Sequence, residues 1–291
     1  MPRDLEISYV VGRMGLATAA QVGPLHYGSH NTARFGFARL LKLGLLRTFD
    51  RPDPSHPAWY ALSQDAAPWV AEQIDCDEEE LRVVSGIRRM NLSAVAQRNE
   101  LWVSLALACR ATGGRTTLQL FRPEWELRRM KPKDVPIVPD ALFVLAGLKP
   151  SGESEHVWMV ELDAGTERTA VWKEKAEAYA ARRGRGLVYG AERWNVLAVV
   201  PSPRRARSIA TAVTAAGGGA FTYLATGDAM AEGRALSSML WRATALAATK
   251  SAPASASLVD EAVNGTMDPD QRGRSAADGP AGTDSGGESP C

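Results

Sequence analysis

Four carboxylates and one lysine in the middle of the chain have the types and spacing that phosphate chemistry uses. Pro139-Asp140 sits inside the apolar run IVPDALFVL, which reads as a strand over 137–145. A charge in mid-strand is costly to bury unless it is paired or metal-bound. The next apolar run, HVWMVELDAGTE, alternates with period two, so Val157, Met159, Glu161 and Asp163 share one face. Residues two apart on a strand are separated by ~7 Å and adjacent strands by ~5 Å, which lets Asp140 join Glu161 and Asp163 in one acidic cluster. Oxygen ligands in that arrangement suit Mg2+ or Mn2+. Such an ion would lower the pKa of bound water and stabilise charge on a cleaved phosphodiester. Glu100, in NLSAVAQRNELWVSLAL, is a further candidate ligand for the metal or its water.

The cation comes from TERTAVWKEKAEAYAARR, where Trp172, Lys175, Ala176 and Tyr179 fall on one helical face. Lys175 therefore stands in an apolar stripe and is the candidate to orient water or stabilise the developing charge. Lys173 lies off the stripe, with Glu177 as its i+4 partner, and Tyr179 reads as core. Each assignment has a plainer alternative. Asp140 can be a strand-end residue satisfied by backbone, and Asp163 can cap the following helix. Lys175 can snorkel along the apolar face, and Glu100 can be a solvated helix residue.

A second site lies near the start of the chain. Ile7, Val10, Val11 and Met14 form a helical stripe, Thr18 is a natural N-cap for a short helix over 19–23, and 31–43 forms a third helix with Ala33, Phe37, Leu40 and Leu41 inward. Gly44 stops that helix. Two short strands, LLRTF and AWYAL, follow, joined by the proline-bearing loop RPDPSHP. Three helices and a β wing place the third helix in a DNA major groove. On that helix Asn31 and Arg34 or Arg39 have side chains that read base edges, while Thr32 and Lys42 suit phosphate, and Arg51 in the wing reaches the adjacent backbone. The stretch NTARFGFARLLKLGLLRTF resembles many winged-helix proteins at this element.

The elements that must carry these sites follow from periodicity. Segment 63–90 reads as a helical linker, ending in the charged helix DCDEEELRVVSGIRR. Helices are expected over 91–112, 166–183, 203–216 and 229–247, and strands over 116–121, 137–145, 156–163, 194–200 and 221–225. The expected domains are 1–65, a winged helix-turn-helix; 66–90, the linker; 91–249, a mixed α/β domain; and 250–291, a disordered tail whose Ala, Ser, Gly, Asp and Pro content cannot offset chain entropy.

Composition narrows the class. The net charge of +1 over 291 residues hides an asymmetry: after Lys250, seven acids against two arginines give −5, leaving +6 on the rest. Basic residues cluster at 34–51, 128–133, 182–185 and 204–207, which suits phosphate contacts. The three cysteines, Cys76, Cys109 and Cys291, imply no disulfide framework, and the four histidines have no zinc spacing with them. No membrane span or signal-peptide layout is seen, so a cytoplasmic protein is expected.

The central residues resemble the PD-(D/E)XK nuclease superfamily: PD, a strand, then ELD, within an α-β-β-β-α-β order. More specifically, residues 1–249 are similar to the replication-relaxation family of actinobacterial plasmids and integrative elements, which joins a winged helix to a nuclease-like domain. Its PDA…ELDxGTE…K…Y signature is matched by Pro139-Asp140-Ala141, Glu161-Leu162-Asp163-Ala164-Gly165-Thr166-Glu167, Lys175 and Tyr179. The resemblance implies an α+β chain, a winged helix followed by a restriction-endonuclease-like domain, acting in plasmid replication or in relaxase-like nicking for conjugation. Its partner would be double-stranded DNA, with a homodimer possible. One departure stands out. The superfamily lysine is expected two positions after the acid, where this chain has Asp163. Lysines that move to the following helix occur in the superfamily, which leaves Lys175 to substitute. A nuclease-like fold that only binds DNA is the alternative.

Overall fold

The computed structural model describes residues 2–49, 57–86, 90–131, 135–149, 152–230, 235 and 241–248. It is a mixed α+β structure with two sheets. The first part contains α1 (Arg3–Met14), β1 (Ala17–Thr18), α2 (Ala19–His26), α3 (His30–Lys42), β2 (Leu46–Phe49), β3 (Trp59–Leu62) and α4 (Ala67–Ile74). Its strands form an antiparallel sheet in the order β1-β3-β2.

Local chemistry explains the helix boundaries. Thr18 and Gln21 form a reciprocal capping box at the start of α2, and Ser29 caps α3 through the Thr32 amide. At the end of α3, Gly44 adopts φ 71°, and the Gly44 and Leu45 amides donate to the Leu41 and Leu40 carbonyls. This paired closure satisfies two carbonyls that the helix leaves open, and a left-handed residue there favours glycine. Ala33, Phe37 and Leu40 of α3 are fully buried, Phe37 and Leu40 in one core with Ile7 and Val11 of α1 and Val22 of α2.

The second part runs α5 (Leu92–Ala111), β4 (Thr116–Pro123), α6 (Glu124–Met130), β5 (Ala141–Lys149), β6 (Gly152–Leu162), α7 (Thr169–Arg182), β7 (Asn195–Val200), α8 (Pro203–Ala215), β8 (Thr222–Thr226), α9 (Gly227–Met230), β9 (Trp241–Arg242) and α10 (Ala243–Ala248). Six strands form one sheet in the order β4-β5-β6-β7-β8-β9. β4, β5 and β6 are antiparallel, whereas β6, β7 and β8 are parallel, joined by α7 and α8. Parallel strands need such helical crossovers. On one face Leu101 and Leu105 of α5 pack on Phe143, Trp158 and Val160. On the other, Trp172 of α7 and Ile209 of α8 pack on Ala198 and Leu224, while Tyr179 packs on Met159 and Val196.

Several expected boundaries move. The segment 63–90 is not a helical linker throughout: α4 ends at Ile74, and the acidic run holds only a 3-10 turn, Glu78–Glu80. Three adjacent glutamates repel one another, and Asp75 at φ 60° breaks the helix before them. β5 begins at Ala141, so Asp140 precedes the strand instead of lying within it. An additional helix, α6, intervenes between β4 and β5. The last expected helix, 229–247, falls partly outside the described residues; where it is described, Trp241 and Arg242 form β9, between α9 and α10 in chain order. The tail 250–291 and the wing loop with Arg51 lie outside the described residues.

The two parts share α5. Its Asn99 side chain donates to the Leu16 carbonyl at 2.6 Å, and Gln21 donates to the Ala96 carbonyl at 3.2 Å. Arg13 of α1, buried, donates to the Phe121 carbonyl at 3.2 Å and pairs with Glu126 at 2.8 Å and Glu80 at 3.0 Å. Among the described residues no helix is long and apolar enough to cross a membrane.

Candidate functional site

The backbone fixes Asp140 at the mouth of β5. Its amide donates to the Val160 carbonyl at 2.9 Å, and its carboxylate Oδ2 accepts the Leu162 amide at 2.7 Å. Its own carbonyl accepts the Glu124 amide that opens α6. The carboxyl group is thus held against the end of β6. Burial raises its pKa, and the Leu162 hydrogen bond partly opposes that rise.

Glu161, on β6, is 2 % exposed. The Tyr179 hydroxyl donates to its Oε1 at 2.6 Å, and Lys175 Nζ stands 2.9 Å from its Oε2. Lys175 also donates to both carboxylate oxygens of Glu167 at 3.1 Å. Burial pushes the Glu161 carboxyl up to about 7, Lys175 pulls it back, and the nearby charge of Asp140 raises it further. Burial works against the charge on Lys175, but Glu161 and Glu167 overcome that and hold its pKa above the usual lysine value. Tyr179 is held well above its ordinary value by burial and by Glu161. The lysine found on an apolar stripe is therefore neither snorkelling nor free: it is the counter-ion of a buried glutamate.

Asp163 has a different partner. It stands just beyond the end of β6, where α8 reaches it. Arg205 Nε donates to Oδ2 at 2.6 Å and Nη2 to Oδ1 at 3.1 Å, a two-pronged pair. Arg205 also donates to the Glu167 carbonyl, tying the β6–α7 turn to α8. Asp163 does not cap α7, which begins at Thr169 with no side-chain cap. Glu100 is set apart. It lines a cavity of about 330 Å3 with Leu162, Val199 and Asp228 on the α5 side of the sheet, and Asp163 borders the same cavity.

As placed, these acids do not fit a divalent cation. Both oxygens of Glu161 and both of Asp163 are already engaged, and one oxygen of Asp140 is bonded to backbone. Among the described residues no group of three or more His, Cys, Asp or Glu side chains is arranged to hold a metal ion. The structure brings together Asp140, Glu161 and Lys175, adds Glu167 and Tyr179, and sends Asp163 to Arg205. Tyr179 was legible as a stripe neighbour of Lys175. Arg205 reads in the sequence only as part of the basic cluster 204–207; its pairing with Asp163, 42 positions away, has no sequence signal.

On α3, Asn31, Thr32, Arg34, Arg39 and Lys42 are all exposed. Arg39 is nevertheless paired with Asp4 of α1 at 2.8 Å, and the Thr32 hydroxyl is hydrogen-bonded to Ser29. Phe35, 78 % exposed on the same helix, was missed: as an aromatic residue in a helix it reads as core.

A family model described as replication-relaxation matches residues 9–192. No curated protein and no solved structure matches the chain. The matched segment spans α1 through α7, including α3, Asp140, Glu161, Lys175 and Tyr179, and stops short of Arg205. With most of its length covered, the chain belongs to the replication-relaxation family, which ties it to DNA processing in replication or transfer.

Proposed function

We propose that the protein binds double-stranded DNA and acts in the replication or transfer of a plasmid or integrative element. The observation that carries this reading is the division of α3. One side, Ala33, Phe37 and Leu40, is fully buried, and the other presents Asn31, Arg34 and Lys42 to solvent. With α1 and α2 behind it and the β2–β3 pair after it, α3 has the setting of a recognition helix in a winged helix-turn-helix. The sheet that follows, whose α-β-β-β-α-β order is interrupted by the short α6 between β4 and β5, is in this reading the nuclease-like domain of the family, with residues 1–65 and 91–249 as the two domains. The test is titration of the full chain with duplex fragments of its own replicon at several salt concentrations. Affinity that falls steeply with salt, and that weakens about tenfold in Arg34→Ala, supports the reading. Salt-independent or absent binding overturns it.

A second reading is a Mg2+- or Mn2+-dependent nickase of the relaxase type. It is favoured by Asp140 standing beside the Glu161–Lys175 pair, an acid-acid-lysine set of the PD-(D/E)XK kind with the lysine on the following helix. It requires Glu161 to exchange Lys175 or Tyr179 for the ion. Conversion of supercoiled cognate plasmid to open circles by wild type with Mg2+, and not by Asp140→Ala, is its expected result. No Mg2+-dependent product from wild type leaves the protein a DNA-binding factor whose carboxylates are structural.

A further inference from the structure

Arg98, on α5, is 5 % exposed, yet its Nε and Nη2 are buried with no hydrogen-bond partner among the described residues. Leaving a buried charged donor unpaired is among the more costly features a fold can retain, and each instance calls for a cause such as an absent ion or ligand. The two orphaned atoms are not an arbitrary pair. They form one edge of the guanidinium, the edge that grips a carboxylate or phosphate with two parallel bonds. Arg205 shows the same edge occupied, with Nε and Nη2 on the two oxygens of Asp163.

The surroundings of Arg98 favour an oxyanion from outside the chain. Its charged neighbours are Arg82, Glu124 and Asp140. Glu124 is already paired with Arg128, and Asp140 has one oxygen on the Leu162 amide. Arg82 adds a second guanidinium, 5.9 Å from the centre of the Trp125 ring, and Trp125 Nε1 is a third buried donor without an acceptor. Burial and Arg82 pull the pKa of Arg98 down to about 10, so it remains charged at neutral pH. Arg82, Glu124, Trp125 and Asp140 are each half-buried, and Asp140 is close enough to act on the charge of Arg98.

We propose that the Nε/Nη2 edge of Arg98, flanked by Arg82, seats a phosphodiester group of a nucleic-acid strand next to Asp140. The proposal rests on the DNA-binding reading but uses a different element from α3. Arg98 is a positioning residue: it would hold the backbone of a strand against the mouth of β5.

The experiment uses the full chain with 15N-labelled arginine side chains. The Arg98 Nε–H resonance is identified by its loss in Arg98→Lys and followed on addition of the dinucleotide dTpT, inorganic phosphate, or sodium chloride at matched ionic strength. A saturable shift with dTpT that chloride does not produce is expected. No shift, or a shift with inorganic phosphate alone, overturns the assignment. In parallel, Arg98→Met should weaken duplex or single-strand binding about tenfold and lower the salt slope by about one. Unchanged affinity and slope in that variant, with wild type binding normally, sinks this proposal and leaves the α3 reading standing. A dTpT shift in a protein that binds no duplex has the reverse meaning. Arg98→Met separates a structural role: its thermal midpoint should match or exceed that of wild type, because an unpaired buried charge has been removed. A large fall in that midpoint would mark Arg98 as a structural residue and overturn the assignment.

Discussion

Lys175 Nζ lies 2.9 Å from Glu161 Oε2, joining the helix that crosses over the sheet to the strand it leaves. The other oxygen of Glu161 is taken by the Tyr179 hydroxyl, one helical turn further along α7. The pair is therefore both the anchor of the crossover and the centre of the candidate site, and changes to it will register in stability before they register in activity.

Removing the lysine leaves Glu161 buried without its cation, a change that typically costs about 3–5 kcal/mol. Lys175→Met should destabilise the protein by an amount near the lower end of that range, since Glu161 can escape by taking up a proton. The double variant Lys175→Met with Glu161→Gln should recover part of the loss. Urea denaturation of the four proteins in the cycle checks this, and additive losses would mean that the two side chains are not coupled.

The raised carboxyl of Glu161 makes a prediction about pH. The folded protein keeps a proton on this group up to about pH 7, whereas its ordinary value is 4.5. Between those limits the folded state binds more protons than the unfolded one, so stability falls as pH rises through the window, by on the order of 3 kcal/mol at most. Glu161→Gln should flatten the profile between pH 5 and pH 7. Chemical denaturation across that range reads it, and an identical profile in the variant would assign the dependence to another group.

Arg205 should matter as much as any residue of the core. Its loss leaves the Asp163 carboxylate, which has no exposed side-chain surface, without a counter-ion. Arg205→Met should cost about 3 kcal/mol or more, and Asp163→Asn in the same chain should restore part of it. A loss below about 1 kcal/mol, the range of surface pairs, would show the pair to be solvated.

The arginines of α3 should not be equivalent. Arg34 is exposed, while Arg39 is held by Asp4. If α3 contacts DNA, Arg34→Ala should weaken binding more than Arg39→Ala, and Asp4→Asn should tighten it by releasing Arg39 and removing a negative charge. Anisotropy titrations at fixed salt distinguish these outcomes. Equal losses at the two arginines would mean that Asp4 gives Arg39 up freely.

The helices and strands were largely legible because their causes are local. Ile7, Val11 and Met14 repeat with helical period, Thr18 caps, Gly44 terminates, and Met159 and Glu161 share one face of β6. The errors also have local causes. The apolar run around Asp140 looked continuous, but the chain enters the sheet only at Ala141, because Asp140 is turned to accept the Leu162 amide. The acidic run after α4 looked helical by composition, but its like charges and the left-handed Asp75 stop it.

Residue types and spacing settled which side chains were out of place: a lysine on an apolar stripe, carboxylates on strands, arginines in clusters. Their partners were settled only when the sheet was assembled. Asp140 and Glu161 meet because β5 and β6 pair in one register. Asp163 is withdrawn from them because α8 brings Arg205 to it, and Arg98 is left with an empty edge because α5 packs between the two parts. A periodic pattern reports how a residue faces its own element. Which charge stands opposite depends on how crossovers and registers bring distant segments together, and burial makes that choice of partner decisive.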